Sequence, residues 1–536
     1  MMLRMREEEN DWNEGKDSLS EGYGSHTTNA RGSRRRGLTK PARWVKRSPF
    51  LGLHLAYFVL GSLAGAMSLW AAPKPEPLPF VDALFNAVSA ITETGLPGVA
   101  IHRFSLSDRW SLLLLMVVGA PAFTAAIPLF LRCRLLLPHS IRRLTSSRRA
   151  TPDKNCTPAP HLLPVVSPTA NSLSTDVVED EFLMDMQTLR VMSWVTAGHY
   201  LLCVLGGFLI CSLCIFCSPH AKSVLKENHV DPALFALFAV VSAFGNCGYI
   251  LLDDNLIPLN RASAMLLCLG ALMLMGNTLY APTMRLWIWL LQKTSRGEKG
   301  RVYEHILSSR EQRFTHLFPR HETIWLLGFS MFINACQVLC MLSIDWKSHD
   351  LRSLGAGYKL VASLFQSIAT RTGGMNVVNL ANLSSPTLFL EVVAMYISTY
   401  PVLSIRQSTS KLERNIFVTQ SSIVRSKDSF LFVAIFLVCF FERQSMRNDP
   451  VNFSFFNIVY EVISAYSNVG LSIGYDCSLR TKVAKDCKDI PCAFSGRWSV
   501  CGKMVLIMVM LVGRHRDFLR DSDWDIPSPV HTLPSP

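Results

Sequence analysis

The sequence predicts an all-α polytopic membrane protein made of four consecutive units, each with a membrane helix, a re-entrant loop and a second membrane helix. Three observations predict this fold class. Hydrophobic residues make up 49% of the chain and charged residues only 17%, a balance typical of membrane proteins. Several apolar stretches reach the roughly 20 residues that a helix needs to cross a bilayer. One short motif recurs between pairs of these stretches.

The basic residues indicate how the chain is oriented in the membrane. The net charge is +13, and Lys and Arg collect next to apolar stretches, in residues 31–47, 142–149 and 293–314. Such clusters mark the cytosolic side of a membrane protein. No basic groove with interleaved aromatic residues accompanies them, so we expect no nucleic-acid partner.

The segments outside the apolar stretches predict cytosolic tails and linkers. Residues 1–48 are charged and rich in Gly and Ser, which predicts a disordered basic tail rather than a cleavable signal peptide. The linkers and the C-terminal tail are predicted at residues 134–190, 293–321, 405–427 and 517–536. Both termini are then cytoplasmic.

The recurring motif consists of an aliphatic residue, Ser-Ala, four variable residues, Gly and a large apolar residue. It occurs as VSAITETGL at 88–96, VSAFGNCGY at 241–249 and ISAYSNVGL at 463–471. The stretch TRTGGMN at 370–376 lies where a fourth copy is needed. The chain therefore divides into four units with eight transmembrane helices, predicted at residues 49–133, 191–292, 322–404 and 428–516.

The glycine-containing segments are the candidates for function. Non-helical backbone is not tolerated against lipid, but it is tolerated where it lines a water-filled cavity. Four such loops in pseudo-fourfold arrangement around one axis would form an ion pore, because carbonyl oxygens can replace the hydration shell of a monovalent cation. Glycine accepts the backbone angles of such a loop and leaves no side chain in the lumen. The alternative is that each glycine ends a helix or allows close helix packing.

Four motifs carry a resemblance to a known family: SAITETGL, VSAFGNCGY, FQSIATRTGGMNVVNL and FNIVYEVISAYSNVGLSIGY. In this order they resemble the Trk/Ktr/HKT superfamily of K+ and Na+ transporters. YEHILSSREQRFTHLF and GRWSVCGKMVLIMVMLVGR resemble its plant high-affinity potassium transporter (HKT) branch, and the match spans about residues 50–516. The resemblance implies a plasma-membrane protein with one selectivity-filter residue from each unit: Gly95, Gly248, Gly374 and Gly470.

Two glycines compete in the third unit. Gly373 lies six residues after Ser367, which is the spacing in the other three motifs. Gly374 is the one followed by a large apolar residue, Met375, and the TR-x-x-G pattern of the family also favours it. Many relatives have another small residue at position 373, so a second glycine there departs from the family and predicts a looser loop.

Further residues are predicted to support or border the pore. The predicted filter support comprises Thr94, Cys247, Arg371, Gly373 and Val469. We expect Arg371 to lie behind the filter and hold loop carbonyls, the alternative being a solvated arginine at the mouth. Lys503 and Arg514 are eleven residues apart on the last span and match basic positions that border the pore in the family. Their alternatives are a snorkelling lysine and a cytosolic anchor.

Pro401 is the predicted element of a gate below the filter. A proline interrupts the hydrogen bonds of a helix, so the span should break near residues 397–401. Relatives have a flexible Gly-rich or a Pro-rich segment there, and this sequence has neither in full.

Polar features of the segments predicted to lie outside are less specific. Cys477, Cys487 and Cys492 cluster in a polar stretch, where one disulfide is an open interpretation. Asn382 and Asn452 begin Asn-x-Ser sequons, which are common by chance.

The predicted function is transmembrane transport of monovalent cations, K+ and/or Na+, driven by their electrochemical gradient. The sequence has no Walker-type signature, and we expect no cofactor and no metal besides the transported ions. In HKT proteins a serine at the first filter position goes with Na+ preference and a glycine with K+ permeation, so Gly95 favours K+. A Na+-selective uniporter and a non-conducting regulatory subunit are alternatives. A membrane enzyme is disfavoured because His54, His199 and Glu391 form no recognisable catalytic set. Symport versus uniport and a possible homodimer stay open.

Overall fold

The described structure is helical throughout. The computed structural model describes residues 49–74, 76–124, 126–127, 130, 169–308, 320–397, 427–477 and 491–516. All of them belong to one compact unit, Ser48–Pro536. Within these residues there are α-helices, short 3-10 turns and one π-helical turn, and no β-strand. The predicted all-α class is therefore confirmed for the described part of the chain.

The first two predicted units contain helices α1 to α8. The first unit has α1 Pro49–Ala71, α2 Phe80–Ile91 and α3 Leu106–Gly119. The second has α4 Thr169–Cys217, α5 Pro219–Glu227, α6 Pro232–Gly245, α7 Ser263–Gly276 and α8 Tyr280–Thr294. Local signals begin these helices, because Ser105 and Asp108 form a capping box on α3 and Asp231 caps α6 ahead of a proline.

The remaining helices belong to the third and fourth units. After α9 Glu298–Ser308, the third unit has α10 Arg320–Ile344, α11 His349–Arg352, α12 Ala356–Ile368 and α13 Ser385–Tyr396. The fourth has α14 Lys427–Phe441, α15 Arg443–Asn448, α16 Phe455–Tyr466 and α17 Val500–Arg514. Ser454 and Ser499 cap α16 and α17 through their side-chain oxygens.

Three of the described helices are long and apolar enough to cross a bilayer, at residues 52–71, 187–217 and 322–344. Two bent pairs raise this number to five, namely α5 with α6, bent by 99°, and α7 with α8, bent by 86°. The sequence predicts one membrane helix after the loop of the second unit, at about residues 262–292, but this segment breaks at residues 277–279 and forms α7 and α8. In addition, α4 begins at Thr169, inside the predicted linker.

Four short helices are buried at the centre of the fold, namely α2, α6, α12 and α16, which we call the central helices. Each central helix carries a large side chain that is at most 2% exposed: Phe85, Phe235, Phe365 and Tyr460. The outer helices α1, α4, α10 and α14 each carry a large apolar side chain that is at least 66% exposed: Leu60, Leu209, Phe332 and Phe432. An apolar outer surface of this extent marks contact with lipid.

Each central helix packs against the helix that follows the glycine-containing loop in a neighbouring unit. α3 contacts α6, α7 contacts α12, α13 contacts α16, and α17 contacts α2. We call α3, α7, α13 and α17 the closing helices. Because the contact between α17 and α2 joins the fourth unit to the first, the contacts form a closed series.

Candidate functional site

Each central helix is followed by a short loop that contains a glycine with positive φ. Gly95, Gly248, Gly374 and Gly470 have φ values of 74°, 95°, 61° and 93°. These values lie in the left-handed region, which glycine adopts without steric cost. Gly373, the competing residue of the third loop, is not among the residues with positive φ. Gly374 is therefore the residue that shares the conformation of the other three.

The first three loops meet through their backbones at these glycines. A β-carbon built on Gly95 would overlap the carbonyl oxygen of Cys247 in the second loop. A β-carbon on Gly248 would lie 3.0 Å from the carbonyl oxygen of Gly373 in the third loop. Gly95 therefore has no room for a side chain, whereas at Gly248 the contact is tight and the positive φ would strain any other residue.

The remaining contacts close these four glycines into a ring. A β-carbon on Gly374 would overlap the carbonyl oxygen of Val469, and one on Gly470 would overlap that of Thr94 in the first loop. The order of contacts is first, second, third, fourth and first again. We call Gly95, Gly248, Gly374 and Gly470 the glycine ring.

The serine of the repeated motif fastens the loops. In the second and fourth loops, the glycine amide donates a 3.1 Å hydrogen bond to the serine hydroxyl six residues earlier. These pairs are Gly248 with Ser242 and Gly470 with Ser464. In the first loop Ser89 donates its hydroxyl to the carbonyl of Leu96 at 3.0 Å. The serine of the recurring motif therefore forms a hydrogen bond with the backbone of its own loop in three of the four units.

The third loop accommodates its extra residue in a π-helical turn. This turn, Ala369–Gly373, continues α12, and the amide of Gly374 donates to the carbonyl of Ala369 at 3.1 Å. A π-turn contains one residue more than an α-turn, so Gly374 reaches the ring although it lies seven residues after Ser367. Ser367 points elsewhere and donates to the carbonyl of Asn334 on α10 at 3.0 Å.

Side chains two residues before the ring glycines join neighbouring loops. The hydroxyl of Thr372 donates to Asn246 Oδ1 at 2.7 Å, which links the third loop to the second. Asn468 Nδ2 donates to the hydroxyl of Thr94 at 2.7 Å, which links the fourth loop to the first. The sequence motif alone did not single out Asn246, Thr372 and Asn468. The available signal was a polar residue at this position in all four motifs.

Tyr249 adds a link between the second loop and the first. Its hydroxyl lies 3.0 Å from both the carbonyl of Leu96 and Asn86 Oδ1, and its side chain is buried. The motif treats position 249 only as large and apolar, so this hydrogen bond was not predicted.

A second set of glycines packs three closing helices against the central helices. A β-carbon on any of them would overlap a carbonyl near the end of a central helix; the pairs are Gly119 with Ile91, Gly276 with Phe244, and Gly513 with Tyr466. Each of these glycines is the fourteenth residue of its helix. The same position counted from the start of α13 is Ser398, which lies outside the described residues. This repeat is not visible in the sequence, because the shared position of the glycines is counted from the first residue of each helix.

Lys503 and Arg514 form ion pairs with two acidic residues of the first unit. Lys503 Nζ lies 2.6 Å from Asp82 Oδ1, and Arg514 Nη1 lies 3.4 Å from Glu93 Oε2. Arg514 also donates to the carbonyl of Gly119. These contacts tie both ends of α17 to the first unit, beside α2 and its loop. Neither residue is a solvated surface charge, because Lys503 is 8% exposed and the Arg514 side chain 15%.

Replacing one partner of the Lys503–Asp82 pair is expected to lower the free energy of unfolding more than replacing both. Asp82→Asn leaves a buried ammonium group without its carboxylate, which should lower the free energy of unfolding by about 3 kcal/mol. Combining Asp82→Asn with Lys503→Met should recover at least half of that loss. Chemical unfolding in detergent would measure both.

A matched control for this comparison is the exposed pair of Arg103 and Glu76, 2.7 Å apart. The Glu76 side chain is 73% exposed, so Glu76→Gln should change stability by less than about 1 kcal/mol. Equal losses for Asp82→Asn and Glu76→Gln would contradict the structural importance of the buried pair.

The structure describes two of the other predicted support and gate residues, Arg371 and Gly373, but not Pro401. Arg371 is 4% exposed, which disagrees with the alternative of a solvated arginine at the mouth. Its hydrogen bonding to loop carbonyls stays a prediction. Gly373 faces α7, because a β-carbon on it would overlap the sulfur of Met273. Pro401 lies outside the described residues.

The predicted disulfide and sequons are partly resolved. Cys477 is disulfide-bonded and Cys492 is a free thiol, so these two are not paired with each other. Cys487 lies outside the described residues. Asn382 is exposed. Asn452 is 5% exposed and its amide donates to Asp449 Oδ2 and the carbonyl of Asp476, each at 2.9 Å. Asn452 is therefore a poor acceptor for a glycan.

The described structure thus defines a class: a helical membrane protein in which four glycine-containing loops meet backbone to backbone. Comparison with known proteins gives the family. The family model "TrkH: Cation transport protein" matches residues 170–429 and 421–519. The chain belongs to this family of cation transporters, whose members are not enzymes.

Individual relatives agree with this assignment. The chain is 32% identical to "Cation transporter HKT1;3" of Oryza sativa subsp. japonica, over 87% of this chain and 89% of the relative. It is 31% identical to "Sodium transporter HKT1" of Arabidopsis thaliana, over 82% of this chain and 87% of the relative. It is also similar in fold to the potassium transporter TrkH from Vibrio parahaemolyticus, with a TM-score of 0.50 and 14% identity over 90% of this chain and 86% of the other. The resemblance to the Trk/Ktr/HKT superfamily and its HKT branch is confirmed.

Proposed function

We propose that this protein carries K+ across the plasma membrane, with Na+ as a co-substrate or competitor, through a selectivity filter formed by the glycine ring. One observation carries the proposal: the four loops meet backbone to backbone at glycines with positive φ, and three of these four positions have no room for a side chain. Backbone carbonyl oxygens are then the groups that a passing cation meets. The electrochemical gradient of the ions drives the transport.

The proposed architecture has eight transmembrane helices in four units around the ring, with both termini cytoplasmic. The closed series of contacts between central and closing helices supports this arrangement. The central helices end at the loops of the ring, so the negative ends of their dipoles favour a cation there. A gate at residues 397–401 stays part of the proposal.

The ion pair between Arg514 and Glu93 lies beside the proposed filter. Glu93 lies two residues before Gly95 and has a φ of 57°, so its side chain leaves the backbone close to the ring. A buried carboxylate needs a partner, and Arg514 supplies one from the closing helix of the fourth unit. We propose that this pair holds the first loop in place, and that Arg514 acts there rather than as an ion-binding group of the lumen.

Replacing the first ring glycine by serine is expected to shift selectivity towards Na+. Among the relatives, the match to "Sodium transporter HKT1" places Na+ transport within the same family. A side chain at Gly95 would press on the carbonyl of Cys247 and narrow the ring. Gly95→Ser should therefore lower the current, and the current that remains should reverse closer to the Na+ equilibrium potential. An unchanged ratio of K+ to Na+ permeability would count against the assignment of Gly95.

Two-electrode recording in oocytes tests the proposed function. Wild-type RNA and a water-injected control would be compared under separate K+ and Na+ gradients, with surface expression measured by biotinylation. We expect inward currents whose reversal potential follows external K+. Currents that follow only Na+ would indicate the alternative of a Na+-selective uniporter. Surface protein without current would indicate the non-conducting regulatory subunit and overturn the proposal.

A further inference from the structure

A small polar cavity lies inside the third unit, next to the third loop of the ring. Its wall includes polar side chains of α10, α12 and α13 and of the π-helical turn: Gln337, Ser363, Gln366, Thr370, Thr387 and Glu391. The cavity offers about 10 Å³ of space for the centre of a water-sized sphere. That is close to the least space that one water molecule needs.

Two of these polar groups have no hydrogen-bond partner among the described residues. They are Gln337 Nε2 and Ser363 Oγ, both buried. One end of the Gln337 amide group lies 3.1 Å from the hydroxyl oxygen of Ser367, whose single proton is donated to the carbonyl of Asn334, so the other end of the amide group is left over. Leaving a buried donor unsatisfied is costly. Two such groups on the wall of one cavity point to a small molecule that bonds to both.

Glu391 connects this cavity to the third loop and to the fourth unit. Its carboxylate accepts hydrogen bonds from Gln366 Nε2 and the Thr370 hydroxyl, each at 3.3 Å, and from the Tyr460 hydroxyl on α16 at 2.7 Å. Gln366 in turn accepts a 3.3 Å hydrogen bond from the amide of Val377, three residues past Gly374. One buried carboxylate therefore holds the loop on both sides of its ring glycine.

We propose that the cavity binds one water molecule, hydrogen-bonded to Gln337 and Ser363, and that Glu391 is a positioning residue for the third loop of the filter. The role of Glu391 rests on the proposed function, whereas the water site does not. Water fits because it both donates and accepts hydrogen bonds, so it can satisfy the free end of the Gln337 amide and the Ser363 hydroxyl together. The water completes a chain of polar contacts from α10 through the π-helical turn to α16.

The water site is tested on purified protein. A high-resolution cryo-EM map of the wild type should show density within hydrogen-bonding distance of Gln337 Nε2 and Ser363 Oγ, and the map of Ser363→Ala should lose it. Ser363→Ala should also lower the thermal unfolding midpoint by about 2–4 °C, because the water loses a partner. In a dry cavity the same change removes an unsatisfied hydroxyl and leaves the midpoint equal or higher. An empty wild-type map, or a midpoint that is unchanged or raised in Ser363→Ala, would overturn the water site.

Ser62→Ala is the matched control for the map. Ser62 is equally buried, but its hydroxyl is satisfied by its own helix, through the carbonyl of Phe58 at 2.7 Å. This variant should leave the density in the third unit unchanged. Loss of that density in Ser62→Ala would show that the effect is not local, which contradicts the proposal.

The role of Glu391 is tested by selectivity. Glu391→Gln keeps the shape of the side chain but turns one acceptor into a donor, so Tyr460 or the pair of Gln366 and Thr370 loses its acceptor. We expect the ratio of K+ to Na+ permeability to fall about fivefold, corresponding to about 1 kcal/mol, at unchanged surface expression. Reduced expression with an unchanged ratio would show a merely structural residue. If the wild type carries no current, the proposed function fails while the map and the thermal measurement still decide the water site.

Discussion

Gly374→Ala is expected to reduce K+ current to the level of uninjected oocytes while the protein still reaches the surface. The φ of Gly374 is 61°, a conformation that costs an L-residue roughly 1 kcal/mol. The new β-carbon would also overlap the carbonyl oxygen of Val469. That oxygen belongs to the backbone of the neighbouring loop and cannot move alone, so the ring has to open or rotate. Current and surface biotinylation, measured in the same oocytes, would check the result.

The adjacent glycine supplies a matched control. Gly373 does not have a positive φ, and its β-carbon would meet only the flexible end of Met273. Gly373→Ala is therefore expected to conduct with near-normal selectivity, and Met273→Ala should relieve any loss of stability that it causes. If Gly373→Ala abolished current and Gly374→Ala did not, the assignment of the third ring position would be reversed.

Gly513→Ala is expected to remove most of the folded protein. Its β-carbon would overlap the carbonyl oxygen of Tyr466 at the end of α16, and two packed helices would have to separate. Overpacking a core typically costs about 1–3 kcal/mol, and we expect the upper end because the obstacle is backbone. Gly119→Ala and Gly276→Ala meet the same kind of obstacle and should behave alike. Fluorescence-detected size-exclusion chromatography of a tagged protein would measure the monodisperse fraction.

Gly206→Ala is the control for this prediction. Gly206 lies within α4, and a β-carbon there would have no heavy atom within 4 Å. Alanine is a better helix former than glycine by about 1 kcal/mol, so the variant should be as stable as the wild type or more stable. Full recovery of folded Gly513→Ala protein would contradict the close packing of α17 on α16.

The third unit departs from the other three in two repeated features. Its ring glycine follows a π-helical turn, and its motif serine bonds to α10 instead of the loop. It also contains the polar cavity beside Glu391. The proposed gate lies in the same unit.

The sequence predicted some residues of the site but not their partners in space. The preference for Gly374 over Gly373 rested on Met375, a local signal, and Gly374 has the positive φ of its counterparts. The partners of Lys503 and Arg514 were not predictable, because Asp82 and Glu93 each lie 421 residues away along the chain. The same holds for Thr372 with Asn246, which are 126 residues apart.

The sequence by itself determined the helical membrane class, the fourfold repeat of a Gly-containing loop and the family to which the chain belongs. These follow from local hydrophobicity and from the backbone freedom of glycine, both of which are properties of short segments. Only the tertiary structure decided that the four glycines touch, that α7 and α8 are two helices, and that Gly119, Gly276 and Gly513 sit against carbonyls of the central helices. The reason is that such contacts depend on how segments far apart along the chain pack together, and no short segment determines that packing by itself.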